Sequence, residues 1–178
     1  MDSIDKLETS GAPLLNEESV GAGTDGGAGH PRRPGLLVFC PHRLVDSVTD
    51  IVPEELYARG IRGVILDLDN TLVLWQKEQI SDEILAWLKA LQAAGMKLAL
   101  LSNSILSKRS ARLAVKLECF NVRKARKPTL GGFRRAMAMM ETIPATTAMV
   151  GDQMFTDVWG GTLIQCSWRE IAFLPCAI

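Results

Sequence analysis

The sequence predicts an α/β fold, a central parallel sheet covered by helices on both faces. Three observations predict it. Short apolar runs alternate with longer stretches of helical periodicity from residue 63 to residue 159. Gly60, Gly95 and Pro128 stand where helices stop or start. The apolar runs end in residues that carry chemistry, such as Asp67, Ser102 and Asp152. In such a sheet a ligand binds outside the carboxyl ends of the strands, at a switch in strand order.

The elements follow in chain order. Residues 1–35 are rich in Gly, Ser, Thr and acids, and Gly21 to Gly29 has the composition of a flexible linker. This is read as a disordered tail, with the folded domain spanning 36–178. The tail has no basic start and apolar core, so it is not read as a secretory signal. Its acids (Asp2, Asp5, Glu8, Glu17, Glu18) argue against a mitochondrial transit peptide. Residues 43–51 and 54–59 are expected to form short helices, the second opened by Pro53 and closed by Gly60. Gly63–Asp69 is the first predicted strand. Ile80–Ala94 is an amphipathic helix with Ile84, Leu85, Leu88 and Leu91 on its apolar face and a stop at Gly95. Met96–Ser102 is a strand, 106–117 a helix and Cys119–Val122 a short strand. Residues 128–141 form a helix started by Pro128 and weakened by Gly131-Gly132. Thr147–Gly151 is a strand, and a short helix runs from Phe155 to Trp159.

Composition excludes several classes. The 178 residues suffice for one ordinary core, and 47% hydrophobic content fits a filled interior. Lys+Arg (20) balances Asp+Glu (20), so bulk charge calls for neither nucleic acid nor an anionic membrane. No run approaches the ~20 apolar residues of a membrane span. Cys40, Cys119, Cys166 and Cys176 are scattered without a CxxC pair and read as reduced thiols, which points to the cytoplasm. The only histidines, His30 and His42, lie far from the acidic motif, which argues against a histidine triad or multi-histidine metal site.

The chemistry concentrates where strands end. The apolar run Val64-Ile65-Leu66 stops in two carboxylates, Asp67 and Asp69, with Thr71 beyond. Charge at the edge of a core needs compensation, and a divalent cation supplies it. The next strand ends in Ser102-Asn103, and the last in Gly151-Asp152 with Asp157 five residues on. Lys127-Pro128 opens a helix between them. Several carboxylates on one edge suit Mg²⁺, which prefers oxygen ligands. A lysine and a helix N-terminus suit a phosphate dianion. The predicted reaction is phosphoryl transfer to Asp67, forming an aspartyl phosphate. Asp69 protonates the leaving oxygen and then activates water, a role favoured by carboxylate neighbours. Ser102 binds phosphoryl oxygens, and Lys127 stabilises charge on the phosphoryl group and on Asp67. Asp152 completes the metal shell. Asp157 is read equally as a ligand or as support for a helix N-terminus.

Asp67-Leu68-Asp69-Asn70-Thr71, Ser102-Asn103, Lys127-Pro128 and Gly151-Asp152-Gln153-Met154-Phe155-Thr156-Asp157 resemble, in order, the four motifs of haloacid dehalogenase (HAD) superfamily phosphatases. The wording from about Leu37 to Gly161, including Cys40-Pro41, is similar to the YqeG family of subfamily IIIA. The resemblance implies a HAD-like Rossmannoid three-layer sandwich, Mg²⁺ dependence and the aspartyl-phosphate route. It implies Asp67, Asp69 (through its backbone carbonyl), Asp152 and Asp157 as metal ligands, and Thr71, Ser102, Asn103 and Lys127 as phosphate-binding residues. Asn103 also admits a purely structural reading. Phosphatidylglycerophosphate phosphatase is one activity the resemblance implies, though fold does not set substrate.

The gaps from Thr71 to Ser102 and from Asn103 to Lys127 are too short for a cap domain. The site is therefore expected to be open to a large phosphorylated substrate, lipid-linked or macromolecular. Arg123, Lys124 and Arg126 are candidates for contacting its charge. Trp75, Trp87, Trp159 and Trp168 are read as packing residues. After Gly161 the chain departs from the family's pattern, reading Thr162-Leu163-Ile164-Gln165-Cys166-Ser167-Trp168-Arg169. Unless Ile171–Leu174 adds an edge strand, the side of the Thr147–Gly151 strand is left uncovered. That leaves an alternative, a phosphate- or partner-binding module that kept the site with impaired turnover.

Overall fold

The computed structural model describes residues 39–74, 79–103 and 107–172. The expectations for the tail (1–35), Trp75, Cys176 and His30 lie outside these residues. Six parallel strands form one sheet in the order β1-β6-β5-β2-β3-β4. They are β1 (Arg43–Val45), β2 (Gly63–Leu66), β3 (Lys97–Leu101), β4 (Phe120–Val122), β5 (Thr147–Gly151) and β6 (Trp168–Ala172). The helices are α1 (Pro53–Ala58), α2 (Asp82–Ala93), α3 (Ser107–Lys116), α4 (Leu130–Met140) and α5 (Trp159–Leu163).

Strand alternation separates two cores. Val64 and Leu66 of β2, Leu98 and Leu100 of β3, and Ala148 and Val150 of β5 pack with Ile84, Trp87, Leu88 and Leu91 of α2 and Leu113 of α3. The intervening residues Ile65, Ala99 and Met149 face the other way, onto Phe133, Ala136, Met137 and Met140 of α4. Successive side chains of a strand point to opposite faces, so near-continuous apolar runs are what a sheet covered on both sides requires. β2, β3 and β5 are buried along nearly their whole length for that reason.

Helix ends follow local chemistry. Ser81 Oγ accepts from the Ile84 backbone N–H at 3.3 Å and starts α2. Gly95, at φ 86°, turns the chain out of it. Trp87 packs in the core and donates its indole N–H to the Ile51 carbonyl at 2.8 Å. The Gly131-Gly132 pair has a packing reason. A Cβ on Gly132 would lie 2.7 Å from the Ala125 carbonyl oxygen, so glycine lets α4 approach the segment leading to Lys127.

Two expectations need correction. Residues 43–51 are not a helix: Arg43–Val45 is a strand, and Val48–Asp50 is a single 3₁₀ turn capped by Ser47. Arg43 to Val45 pair with Glu170 to Ala172, a partner more than a hundred residues away that local periodicity cannot reveal. The expected helix from Phe155 to Trp159 is a π turn, Met154–Val158, leading into α5. The condition left open for the C-terminal stretch resolves toward a strand: β6 covers the side of β5, pairing with β5 on one side and β1 on the other. The departure after Gly161 thus still delivers a strand.

Candidate active site

β2 leads to β3 and β4 on one side, while β5 and β6 lie on the other. The strand order therefore reverses at the β2–β5 boundary, where a crevice opens at the carboxyl ends. Asp67 follows β2 there, its N–H donated to the Val150 carbonyl at 2.9 Å. The chain then turns sharply. Asn70 takes a left-handed conformation (φ 62°) and donates its N–H to Val73 O at 2.7 Å, which keeps Asp67 and Asp69 at the edge. A cleft of about 350 Å³ is lined by Asp67, Asp69, Asn70, Ser102, Asn103, Lys127 and Gln153.

Lys127 is the hub. Its side chain is buried, and its ammonium donates to Asp67 Oδ1 and, at 2.6 Å, to Asp157 Oδ1. Burial alone would lower the lysine's pKa, but the Asp67 and Asp157 carboxylates outweigh it and hold the pKa above its ordinary value. The Asn103 carboxamide positions this residue, donating to Lys127 O at 3.1 Å and accepting from Lys127 N at 2.7 Å. Ser102 O accepts from Ala125 N at 3.1 Å, so the end of β3 is tied twice to the segment that carries the lysine.

Carboxylate oxygens of Asp67, Asp152 and Asp157 lie within 4.8 Å of one another. Asp157 is fully buried, belongs to this acidic cluster and also accepts from the Gln153 N–H at 3.1 Å. Burial pushes the Asp67 carboxyl up to about 6 against the pull of Lys127, and Asp157 adds to the rise. Asp152 is raised by burial and by the Asp67 charge, and Asp157 by burial. Three carboxylates face one ammonium, and Asp152 Oδ1 is buried without a hydrogen-bond partner. An all-oxygen donor set with an orphaned carboxylate oxygen fits a hard divalent cation such as Mg²⁺.

The Asp69 side chain stands apart from that cluster. Its Oδ1 accepts from Arg109 Nη1 at 2.5 Å, and the guanidinium is buried. The neighbour facing Asp69 is thus a cation rather than the expected carboxylates. Thr71 departs from expectation too. It is fully buried, its hydroxyl has no hydrogen-bond partner, and it is not among the cleft-lining residues. Asn103 reaches the cleft with its carboxamide engaged by the Lys127 backbone. Arg123 and Lys124 line a separate cleft of about 410 Å³ with Asn121, Val122, Arg135 and Met139, which contains no carboxylate. Arg126 lines neither. Burial pushes the Cys119 and Cys166 thiols up to about 12, which leaves neither suited to nucleophilic chemistry.

Sequence reading missed Asn70 and Gln153 as cleft residues, although both sit inside quoted motifs. It also missed Arg109, for which no local signal exists, since its partner is 40 residues away.

A carboxylate at the switch point, a lysine bridging two carboxylates and an acidic cluster on one edge are the arrangement of a HAD-type phosphatase. The family model for haloacid dehalogenase-like hydrolases matches residues 51–163. The chain is 36% identical over 140 residues to the probable phosphatase YqeG of Bacillus subtilis (strain 168), covering 78% of this chain and 79% of that protein. The chain belongs to the haloacid dehalogenase-like hydrolases. Solved structures agree on the fold. The cobalt-bound deoxy-D-mannose-octulosonate 8-phosphate phosphatase of Haemophilus influenzae matches with a TM-score of 0.53 at 19% identity, over 64% of this chain and 69% of that one. An uncharacterized protein from Listeria monocytogenes serotype 4b matches with a TM-score of 0.52 at 16% identity, over 63% and 78% respectively.

Proposed function

We propose that this phosphatase is a Mg²⁺-dependent phosphomonoester hydrolase that works through an aspartyl phosphate on Asp67. The observation that carries the reading is the meeting of Asp67, Asp69, Ser102 and Lys127 in one cleft beside the Asp67–Asp152–Asp157 cluster. An Asp67 oxygen attacks phosphorus, the bond to the leaving oxygen breaks, and that oxygen takes the Asp69 proton. Water then attacks the phosphorus and returns a proton to Asp69 as the Asp67–phosphorus bond breaks. Ser102 and Lys127 hold the phosphoryl oxygens, and Lys127 keeps Asp67 oriented. Mg²⁺ would be held by Asp67, Asp152 and Asp157, with the Asp69 carbonyl as the resemblance implies, and it supplies charge screening between nucleophile and phosphate.

The described residues between Thr71 and Ser102 and between Asn103 and Lys127 build only α2, β3, α3 and β4. No cap domain is inserted among them, which supports an open site for a large phosphorylated substrate. A phospholipid headgroup of the phosphatidylglycerophosphate type is the finer reading. Cys119 and Cys166 are unpaired thiols, in keeping with a cytoplasmic setting. No helix among the described residues is long and apolar enough to cross a membrane.

The test is Mg²⁺-dependent hydrolysis of p-nitrophenyl phosphate by folded protein, abolished in Asp67→Asn. A panel of lipid, sugar, nucleotide and phosphopeptide esters then ranks substrates by kcat/KM. Folded protein with no turnover on the whole panel would instead support the non-catalytic binding module.

A further inference from the structure

Arg109 sits in α3. Its guanidinium is buried (6% exposed), and its Nη1 donates to Asp69 Oδ1 at 2.5 Å. Burying a guanidinium is costly unless it is paired in good geometry. Nothing in phosphate binding by Ser102 and Lys127 asks for this cation. The two buried cations of the site thus divide the carboxylates. Lys127 serves Asp67 and Asp157, while Arg109 serves Asp69. The division matters because Asp69 is two residues from Asp67, at the mouth of the same cleft. Its carboxylate is nevertheless absent from the group whose oxygens lie within 4.8 Å of each other. A side chain free to rotate there would add itself to that group as a further acidic ligand. A short, charge-assisted bond to a planar, always-charged donor holds it elsewhere.

We infer that Arg109 is the positioning residue of this enzyme. It holds the Asp69 carboxyl out of the metal cluster and turned to the oxygen that leaves. The inference rests on the proposed role of Asp69 as proton donor to that oxygen. Proton transfer needs donor and acceptor held to a fraction of an ångström, and a misplacement of about 1 Å costs on the order of 100-fold in rate. Arg109 is neither a member of the Asp67–Asp152–Asp157 cluster nor one of the cleft-lining residues, so its loss should leave the metal ligands, Ser102 and Lys127 in place.

Leaving-group dependence tests this on the full-length, Mg²⁺-loaded protein. The quantity is kcat/KM, which reports the first half-reaction up to departure of the leaving group. Two substrates are compared: 2,4-dinitrophenyl phosphate, whose leaving group departs without help, and a simple alkyl phosphate, whose leaving group needs the proton. Arg109→Gln should lose about 100-fold on the alkyl ester and less than about 10-fold on the activated ester, the loss expected of a disabled general acid. Asp69→Asn should show the same bias, and the Arg109→Gln/Asp69→Asn double variant should be no worse than Asp69→Asn alone. Arg109→Lys, which keeps the charge, should recover part of the alkyl-ester rate and serves if Arg109→Gln is too unstable to assay. The Mg²⁺ concentration giving half-maximal rate should not move. Equal losses on both esters in Arg109→Gln and Arg109→Lys, or a shifted Mg²⁺ midpoint, would overturn the inference while leaving the phosphatase reading standing. A wild-type protein that hydrolyses neither ester would overturn both.

Discussion

The backbone of Gly151 makes room for the carboxylate of Asp157. A Cβ built on Gly151 would stand 2.4 Å from Asp157 Oδ2, an approach no side chain tolerates. Gly151 closes β5 and precedes Asp152, so one residue sets the spacing of two members of the acidic cluster. Gly151→Ala should push Asp157 out of place, raising the Mg²⁺ requirement about 10–100-fold, the usual cost of disturbing residues around a metal ligand. Titration of phosphatase rate with Mg²⁺, beside a circular dichroism spectrum showing retained fold, checks this.

Removing the shared cation should cost stability as well as rate. In Lys127→Met, Asp67 and Asp157 lose the ammonium that both contact. Breaking a buried pair from one side typically costs about 3–5 kcal/mol. Urea unfolding of metal-free protein should show a loss of that order. Millimolar Mg²⁺ should recover part of it if the ion is held by the same carboxylates as proposed, while turnover stays absent.

Metal binding should be visible without activity. A ligand present at a hundredfold excess over its Kd stabilises a fold by about 2.7 kcal/mol, a rise of several degrees in Tm for a domain of this size. Mg²⁺ should therefore raise Tm, and a chelator should reverse it. Asp152→Asn removes a carboxylate whose Oδ1 has no protein partner, so it should abolish most of the rise at little cost to the metal-free fold. An unchanged Mg²⁺ shift in that variant would place the ion elsewhere.

His42 should make the β1–β6 edge sensitive to acid. Its ring stacks on Trp168 with centroids 4.8 Å apart, and its Nδ1 accepts the Arg169 backbone N–H at 3.1 Å. Burial and the nearby Arg169 and Arg59 charges lower its pKa below 6.5. The unfolded chain therefore binds the proton first as pH falls. The stability due to neutral His42 is complete above about pH 6.5 and declines as pH drops below it. Melts at pH 7.5 and 5.5 should show a larger acid-induced fall in Tm for wild type than for His42→Gln, which keeps an acceptor but cannot charge.

Much of the fold is legible in the chain because its period is local. Val64-Ile65-Leu66 and Thr147–Gly151 are apolar on both faces, which only a covered parallel strand explains. The predicted helix Ile80–Ala94, stopped by Gly95, meets α2 within two residues at its start and one at its end. β1 and the π turn at Met154 were not legible. β1 depends on a distant partner, β6, and the π turn differs from an α turn only in its hydrogen-bond spacing, which residue periodicity does not reveal.

The amino-acid sequence by itself determined which chemical groups this protein brings to one sheet edge, because strand ends and motif order are properties of short segments. Asp67, Ser102, Lys127 and Asp152 needed no coordinates to be named. Only the tertiary structure decided how those groups divide. Lys127 bridges Asp67 and Asp157, Asp69 turns to Arg109, Asn103 steadies the lysine backbone, and Thr71 withdraws into the core. The ion pairs are set by desolvation and by which opposite charge lies within hydrogen-bond reach, and the Asn103 bonds by which backbone groups lie there. That reach spans from 24 to 60 residues of sequence, a distance at which no local pattern carries information.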